Sequence, residues 1–391
     1  MTLGSFQPRY RRSPHLIVYW NGEELVLHNY ATGVAIAGSP AVVRALSALH
    51  GWRTADSVAR QFAEFDPRLI ERLLEELETL SMVERSDRAP SRVSRALALW
   101  EHWTPPAAFF HLATRDVPFG EPAETDAALR ELARTTRSPS PLKRLKGARR
   151  VPLEAPDASG ELAATLLSRR TWRRFGAEPV SRSQLATLLG LTWGVQRWAS
   201  TDGQGTVALK TAPSGGARHN LEAYVLVRHV TGVPSGLYHY DPNGHALQCM
   251  RNGVPAAIST YVPNQTWYDD AACVVFMSAV FARAQWRYQY ARAYRSVFLE
   301  AGHFCQTFCL VATHLGLAPF CTAAFADSRL ERDLGIDGVT ESAIYSCGVG
   351  TRPPGVEWAP WPHTDEVPTV HYPTCPRGRA ASKRPPRKSG R

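Results

Sequence analysis

Residues 16–30, LIVYWNGEELVLHNY, place two apolar, β-branched and aromatic runs on either side of Asn21-Gly22. Asn-Gly tolerates the positive φ of a tight turn, so this stretch is constrained to a β-hairpin with a type I′ turn. Helical signals follow. Ser39-Pro40 sets an N-cap before a proline at the first helical position and opens AVVRALSALHGW. Thr54 opens ADSVARQFAEF. Asp66-Pro67 opens PRLIERLLEELETLSMVE, where Leu69, Leu73, Leu77 and Leu80 predict one apolar face. A hairpin and three short helices predict a winged-helix-like N-terminal domain over residues 13–88.

Winged helices often bind DNA, but the charges here oppose it. Residues 66–80 hold Asp66, Glu71, Glu75, Glu76 and Glu78 against Arg68 and Arg72, and the preceding helix offers only Arg60. Phosphate neutralisation supplies most non-specific DNA affinity, so nucleic acid is not an expected partner, and a peptide-binding or structural role is. The net charge of +10 does not change this. Seven of the Lys and Arg residues lie in the acid-free tail CPRGRAASKRPPRKSGR, leaving +3 for the rest. Residues 374–391 read as a disordered basic tail.

The seven cysteines form no CxxC pair, and an odd count suits free thiols in a reducing compartment. No run of about 18 apolar residues exists to cross a membrane. The N-terminus has only a five-residue apolar run and no small-residue cleavage site. No signal peptide is expected, and the expected location is the cytoplasm.

Residues 89–155 form a bridge. ALALWEHWTPPAAFFHLATRD is rich in aromatics and is expected to pack on a neighbour; TTRSPSPLKRLKGARRVPLEAPDASG reads as an exposed linker. A dense second domain is expected over residues 156–373. It opens on the helix ELAATLLS, followed by Arg169, Arg170, Arg173 and Arg174 within six positions. Such charge can hold a nucleic acid or a cofactor phosphate, or can merely complement a helix C-terminus. Pro213-Ser214-Gly215-Gly216 directly precedes the β run LEAYVLV. Glycine there lets backbone N–H groups approach a flat or anionic ligand. Neither GxGxxG nor a Walker motif occurs.

Further on come the hairpin GLYHYDPNGHALQC, the buried strand ACVVFMSAV, a long helix over residues 283–317 broken near Arg295–Glu300, the short helix SRLERDLGI and the strand SAIYSCGVG. His303, Cys305, Cys309 and His314 fall on the long helix. Their small apolar neighbours favour a buried helix over a metal site, and no metal is expected. Trp193, Trp198, Trp267 and Trp286 read as core, with pocket lining as the alternative.

The ordered set SRRTWRRF, PSGGARHNLEAYVLV, GLYHYDP, YARAYRSVFLEAGHFCQTFCLVATHLGL and SAIYSCGVG resembles the nitroreductase-like flavoproteins. Within them it is most similar to the SagB-type dehydrogenases, azoline oxidases of thiazole/oxazole-modified peptide pathways. The resemblance spans roughly residues 15–352. It implies an α+β fold, a mostly antiparallel sheet flanked by helices, and FMN bound at a homodimer interface. It also implies a peptide substrate and a cyclodehydratase partner. By the same resemblance, Arg169, Arg170, Thr171 and Arg173 hold the FMN phosphate and ribityl chain. Pro213, Ser214, Gly215, Gly216, Ala217 and Arg218 lie along the isoalloxazine. Ala323 and Ala324 lie near the flavin N5, and Gly350 and Arg352 return to the phosphate. The family's catalytic Lys-Tyr pair aligns with Gln289 and Tyr290. Gln289 cannot take a proton, which leaves Tyr290 as the base, helped by Arg287, Arg292 or Arg295. The Gln289 departure also leaves open a non-catalytic scaffold or a winged-helix regulator with a degenerate flavin domain.

Overall fold

The computed structural model describes residues 7–356 apart from 144–150, 152, 155, 204 and 256. The basic tail 374–391 and part of the basic linker therefore lie outside the described residues.

The N-terminal domain is built of strands and helices: β1 (Arg9–Arg12), β2 (Leu16–Asn21), β3 (Glu24–Asn29), β4 (Val34–Ala37), α1 (Pro40–Ala48), β5 (Arg53–Thr54), α2 (Ala55–Ala59), α3 (Pro67–Thr79) and β6 (Val83–Arg85). They form two small sheets, in the orders β5-β1-β6 and β2-β3-β4. The expected hairpin is β2–β3, but its turn is shifted by one residue. Asn21 pairs with Glu24, so Gly22-Glu23 is the two-residue loop, and only Gly22 has positive φ (62°). That is a type II′ pattern rather than I′. Ser39, Thr54 and Asp66 cap their helices as their chemistry predicts, each accepting a backbone N–H.

The leucine face expected on α3 is rotated. Ile70, Leu74 and Leu77 are buried, whereas Leu69 and Leu80 are exposed. The i, i+4, i+7 set starting at Ile70 meets Leu46, Leu49, Val58 and Phe62, and this face wins because the core lies on that side. Helix α3 also stops at Thr79. Ser81 takes a φ of 62° and the chain turns into β6, which the sequence pattern had absorbed into the helix.

The bridge contains α4 (Arg92–Leu97), α5 (Pro106–Ala113) and α6 (Pro122–Thr135). Its aromatics pack as expected. Trp100 and Trp103 are fully buried, with Trp100 4.8 Å from the Phe281 ring; the Trp100 and Trp103 indole N–H groups donate to Val339 O and Tyr288 O, both at 2.9 Å.

The second domain holds α7 (Glu161–Ser168), α8 (Arg182–Trp193), β7 (Arg197–Thr201), β8 (Gly205–Leu209), β9 (Leu221–Val227), β10 (Gly236–Asp241), β11 (Ala246–Asn252), β12 (Cys273–Val280), α9 (Phe281–Arg287), α10 (Tyr294–His314), β13 (Leu317–Thr322), α11 (Asp327–Leu334) and β14 (Glu341–Thr351). Six strands form one sheet, in the order β11-β10-β9-β12-β14-β13, and every pairing is antiparallel. β12 sits inside the sheet with all residues but Val280 buried, as its unbroken apolar run predicts. The break expected near Arg295–Glu300 lies earlier. α9 ends at Arg287, and α10 runs uninterrupted through 295–300. α10 packs on α8 and β13, with Val297, Ala301, Phe304, Phe308 and Ala312 facing the core.

Candidate functional site

The arginine-rich segment does not continue the helix. α7 ends at Ser168, and residues 169–176 run irregularly across the sheet edge. Trp172 N–H donates to Pro319 O at 2.9 Å, and Gly176 N–H to Thr351 O at 2.8 Å. Phe175 lies against Gly350, where an added Cβ would meet the ring at 2.7 Å, so glycine is required for this close approach. The Arg352 guanidinium stands over Trp172, 5.4 Å from its ring centroid, and donates to Leu317 O and Thr313 O. These contacts gather Arg169, Arg170, Thr171, Arg173, Gly350 and Arg352 around the ends of β13 and β14. Arg170 donates to Leu167 O and Arg169 O, and the exposed Arg173 lies 5.4 Å from the Trp267 ring.

Arg169 is half-buried and, among the described residues, makes no ion pair. A guanidinium withdrawn from water without a carboxylate suits an external anion. The donor set of Arg169, Thr171 and Arg173 therefore fits a phosphate.

The glycine turn is held from both sides. Ser214 Oγ donates to Glu300 at 2.7 Å and accepts from His219 N–H at 2.9 Å; Asn220 Nδ2 donates to Glu300 at 2.8 Å. His303 Nδ1 lies 3.1 Å from Pro213 O, and Arg218 Nε donates to Arg283 O while the guanidinium lies 4.6 Å from the Trp286 ring. Gly216, Ala217 and His219 all have positive φ (62°, 52° and 45°). Two of these are non-glycine residues, a strain of about 1–3 kcal/mol each that the surrounding bonds must offset. Burial raises the Glu300 carboxyl above its ordinary range and lowers His219 to about 4. Burial likewise lowers Lys210, whose Nζ lies 5.9 Å from the Phe304 ring centroid.

Ala323 and Ala324 follow β13, and Ala324 N–H donates to Thr322 Oγ1 at 3.2 Å. Exposed Ala323 lines a pocket of about 350 Å³ together with His111, Arg115, Tyr294, Phe298 and Tyr345. His111 from the bridge holds Tyr294 OH at 2.8 Å and Gly338 O at 2.8 Å, and burial lowers it to about 4. It is neutral, with the proton on Nε2 facing the carbonyl. Arg115 pairs with buried Glu331.

Tyr290 is exposed and lies just before α10, with its ring 6.1 Å from Tyr288. Arg287, expected to favour a Tyr290 phenolate, instead lies over Tyr288 at 5.4 Å. Of the four tryptophans expected in the core, Trp193 is buried; Trp198 and Trp286 are more than half exposed and Trp267 is half-buried.

Sequence reasoning missed Glu300, His219, Lys210, His111 and Cys321. A lone acid inside the apolar run SVFLEAGHF was a readable signal for Glu300; the others depend on contacts distant in sequence. Helix α10 presents Cys305 and Cys309 to Cys321 rather than to His303 and His314. The Cys321 thiol is held well below its ordinary range by hydrogen bonds from Cys305 and then Cys309.

The nitroreductase family profile matches residues 166–351. A putative nitroreductase of Methanocaldococcus jannaschii is 32% identical over 186 residues, covering 47% of this chain and 89% of its own. The chain belongs to the nitroreductase family. The trifolitoxin-processing protein TfxB of Rhizobium leguminosarum is also similar, at 30% identity over 141 residues, 34% of this chain and 38% of that one. The chain thus matches little more than a third of TfxB. Among solved structures, the Escherichia coli microcin synthetase McbBCD complex with truncated pro-MccB17 aligns at 19% identity and a TM-score of 0.47, covering 68% of this chain and 98% of that one. As a nitroreductase-family chain, this one carries its oxidoreductase domain behind an N-terminal domain that the family match does not reach. Among the described residues, no helix is long and apolar enough to cross a membrane.

Proposed function

We propose that the chain is a cytoplasmic, FMN-dependent SagB-type dehydrogenase that oxidises azoline heterocycles in a ribosomally made peptide. The observation that carries this reading is the half-buried Arg169, which makes no ion pair among the described residues, set beside Thr171 and Arg173 on a segment pinned to β13 and β14. Arg169 and Arg173 would grip the flavin phosphate, and Thr171 would donate its hydroxyl. Bound FMN would accept the hydride that the protein cannot itself take up. Pro213 to Arg218 would lie along the isoalloxazine, Ala323 and Ala324 would lie near its N5, and Gly350 and Arg352 would return to the phosphate. The pocket beside Ala323, lined by Phe298 and Tyr294, would receive the ring to be oxidised. A relative named for processing a toxin, trifolitoxin, supports a modified natural product as substrate.

The active form is a homodimer. Leu162 and Leu166 on α7 and Leu299 on α10 are exposed at 70%, 49% and 64%, apolar side chains that a second copy would cover. Residues 13–88 act as a peptide clamp, with a leader segment added along the edge strand β2, where Val18, Tyr19 and Trp20 are exposed. A cyclodehydratase would supply the azoline. Residues 89–155 join this clamp to the flavin domain, residues 156–373.

Tyr290 is the proposed base. Tyr290→Phe is expected to leave flavin content unchanged and to slow anaerobic bleaching of the flavin by an azoline peptide ~100- to 10,000-fold. Gln289→Lys is expected to speed it. Equal rates in Tyr290→Phe and wild type would move the base elsewhere. No bleaching by wild type or Gln289→Lys would favour the second reading, a scaffold, which rests on Gln289 in place of the family's lysine.

A further inference from the structure

Cys305 and Cys309 are one turn apart on α10 and share a face, while β13 brings Cys321 across from them. All three sulfur atoms lie within 4.8 Å of one another. The position of Cys321 is fixed by its pairing with Cys347 in the β13–β14 ladder. Cys305 and Cys309 are buried and Cys321 is half-buried, so the cluster has one accessible corner. The two histidines of the helix point away. His303 Nδ1 faces Pro213 O, and His314 lies 3.4 Å from Glu161.

We propose that Cys305, Cys309 and Cys321 form a three-coordinate, all-sulfur site for a soft metal ion, represented by Cu(I). This goes beyond the oxidoreductase reading and does not depend on it. Three sulfurs each about 2.3 Å from a central ion stand about 4 Å apart, within the spacing seen here. Thiolate-only donors select soft ions, and a set of three suits Cu(I), whereas structural zinc takes four ligands. No electron changes hands. The ion enters as Cu(I), each coordinating thiol releases a proton, and the sulfurs keep their oxidation state. Entry is from the Cys321 side. The expectation of no metal concerned His303, Cys305, Cys309 and His314; the proposed set instead joins Cys305 and Cys309 to Cys321.

The test uses the full chain, reduced, metal-stripped and kept anaerobic, titrated with Cu(I) in competition with bathocuproine disulfonate. One Cu(I) per chain is expected, with copper-edge X-ray absorption fitting three sulfurs. Cys305→Ala, Cys309→Ala and Cys321→Ala are each expected to weaken binding by more than ~100-fold, since even loss of a residue that only supports a ligand costs 10- to 100-fold. Cys249→Ser and Cys347→Ala should bind as wild type does. Circular dichroism checks folding; if the two buried variants do not fold, half-buried Cys321→Ala decides. Absence of Cu(I) uptake would overturn the site. So would equal uptake by Cys321→Ala, a fit to two sulfurs, or Zn(II) displacing Cu(I). A Cys321–Cys305 or Cys321–Cys309 disulfide, mapped by mass spectrometry in a protein that takes up no Cu(I) once reduced, would assign the trio to thiol redox chemistry instead.

Discussion

Ser214 donates its hydroxyl to Glu300 at 2.7 Å, so a buried acid in the first third of α10 anchors the glycine turn that precedes β9. Asn220 makes the same choice of acceptor. Removing the acid strands buried Asn220 and half-buried Ser214, at a cost of about 1–3 kcal/mol. Glu300→Ala is therefore expected to lower unfolding stability by that amount and to loosen the turn, while Glu300→Gln, which keeps one acceptor oxygen, is expected to cost less. Urea unfolding of the two variants checks the order. A Glu300→Ala protein as stable as wild type would show that the turn is held elsewhere.

The pair between Arg115 and Glu331 ties the aromatic bridge to α11. The Glu331 side chain is 3% exposed, and it also accepts from Ser342 Oγ at 2.6 Å. Burial raises Glu331 to about 7 even with Arg115 beside it. Arg115→Ala leaves a buried acid uncompensated, which typically costs about 3–5 kcal/mol. Thermal unfolding of Arg115→Ala should shift well below wild type, with the larger loss at pH 8 than at pH 6, since the lone carboxyl would be protonated at the lower pH.

Burial holds His111 at about 4 in the folded chain, against 6.5 ordinarily. As pH falls through 6.5, the unfolded chain takes the proton first. The contribution of His111 to stability is thus complete above 6.5 and lost as pH falls towards 4, by about 3 kcal/mol at most. His219 shares the direction. His111→Gln, whose amide can meet Tyr294 OH and Gly338 O, is expected to flatten the pH dependence between 6.5 and 4 without abolishing it. An unchanged slope would remove His111 from the acid response.

Local chemistry was the legible part of this fold. Caps at Ser39, Thr54 and Asp66, the buried run of β12 and the final strand follow from neighbours within a few positions. What failed is what tertiary contacts decide. The leucines of α3 offered two overlapping faces, and only the surrounding core selects Ile70, Leu74 and Leu77. The break before α10 is placed by Trp103, which binds Tyr288 O from 185 residues away. The candidate site divides the same way. The arginine cluster and the glycine turn are contiguous in sequence and could be read. Glu300 reaches the glycine turn from α10 and His111 reaches the pocket beside Ala323 from the bridge, and no local pattern announces which acid or imidazole will arrive.

Release of the bound cofactor tests the central claim most directly. Purified protein, denatured and analysed by chromatography, is expected to yield one FMN per chain, and Arg169→Ala/Arg173→Ala, folded by circular dichroism, is expected to yield almost none, because charge-assisted phosphate contacts are the strong ones. Full FMN occupancy in the double variant, or wild-type protein that yields no FMN even after incubation with it, would contradict the account.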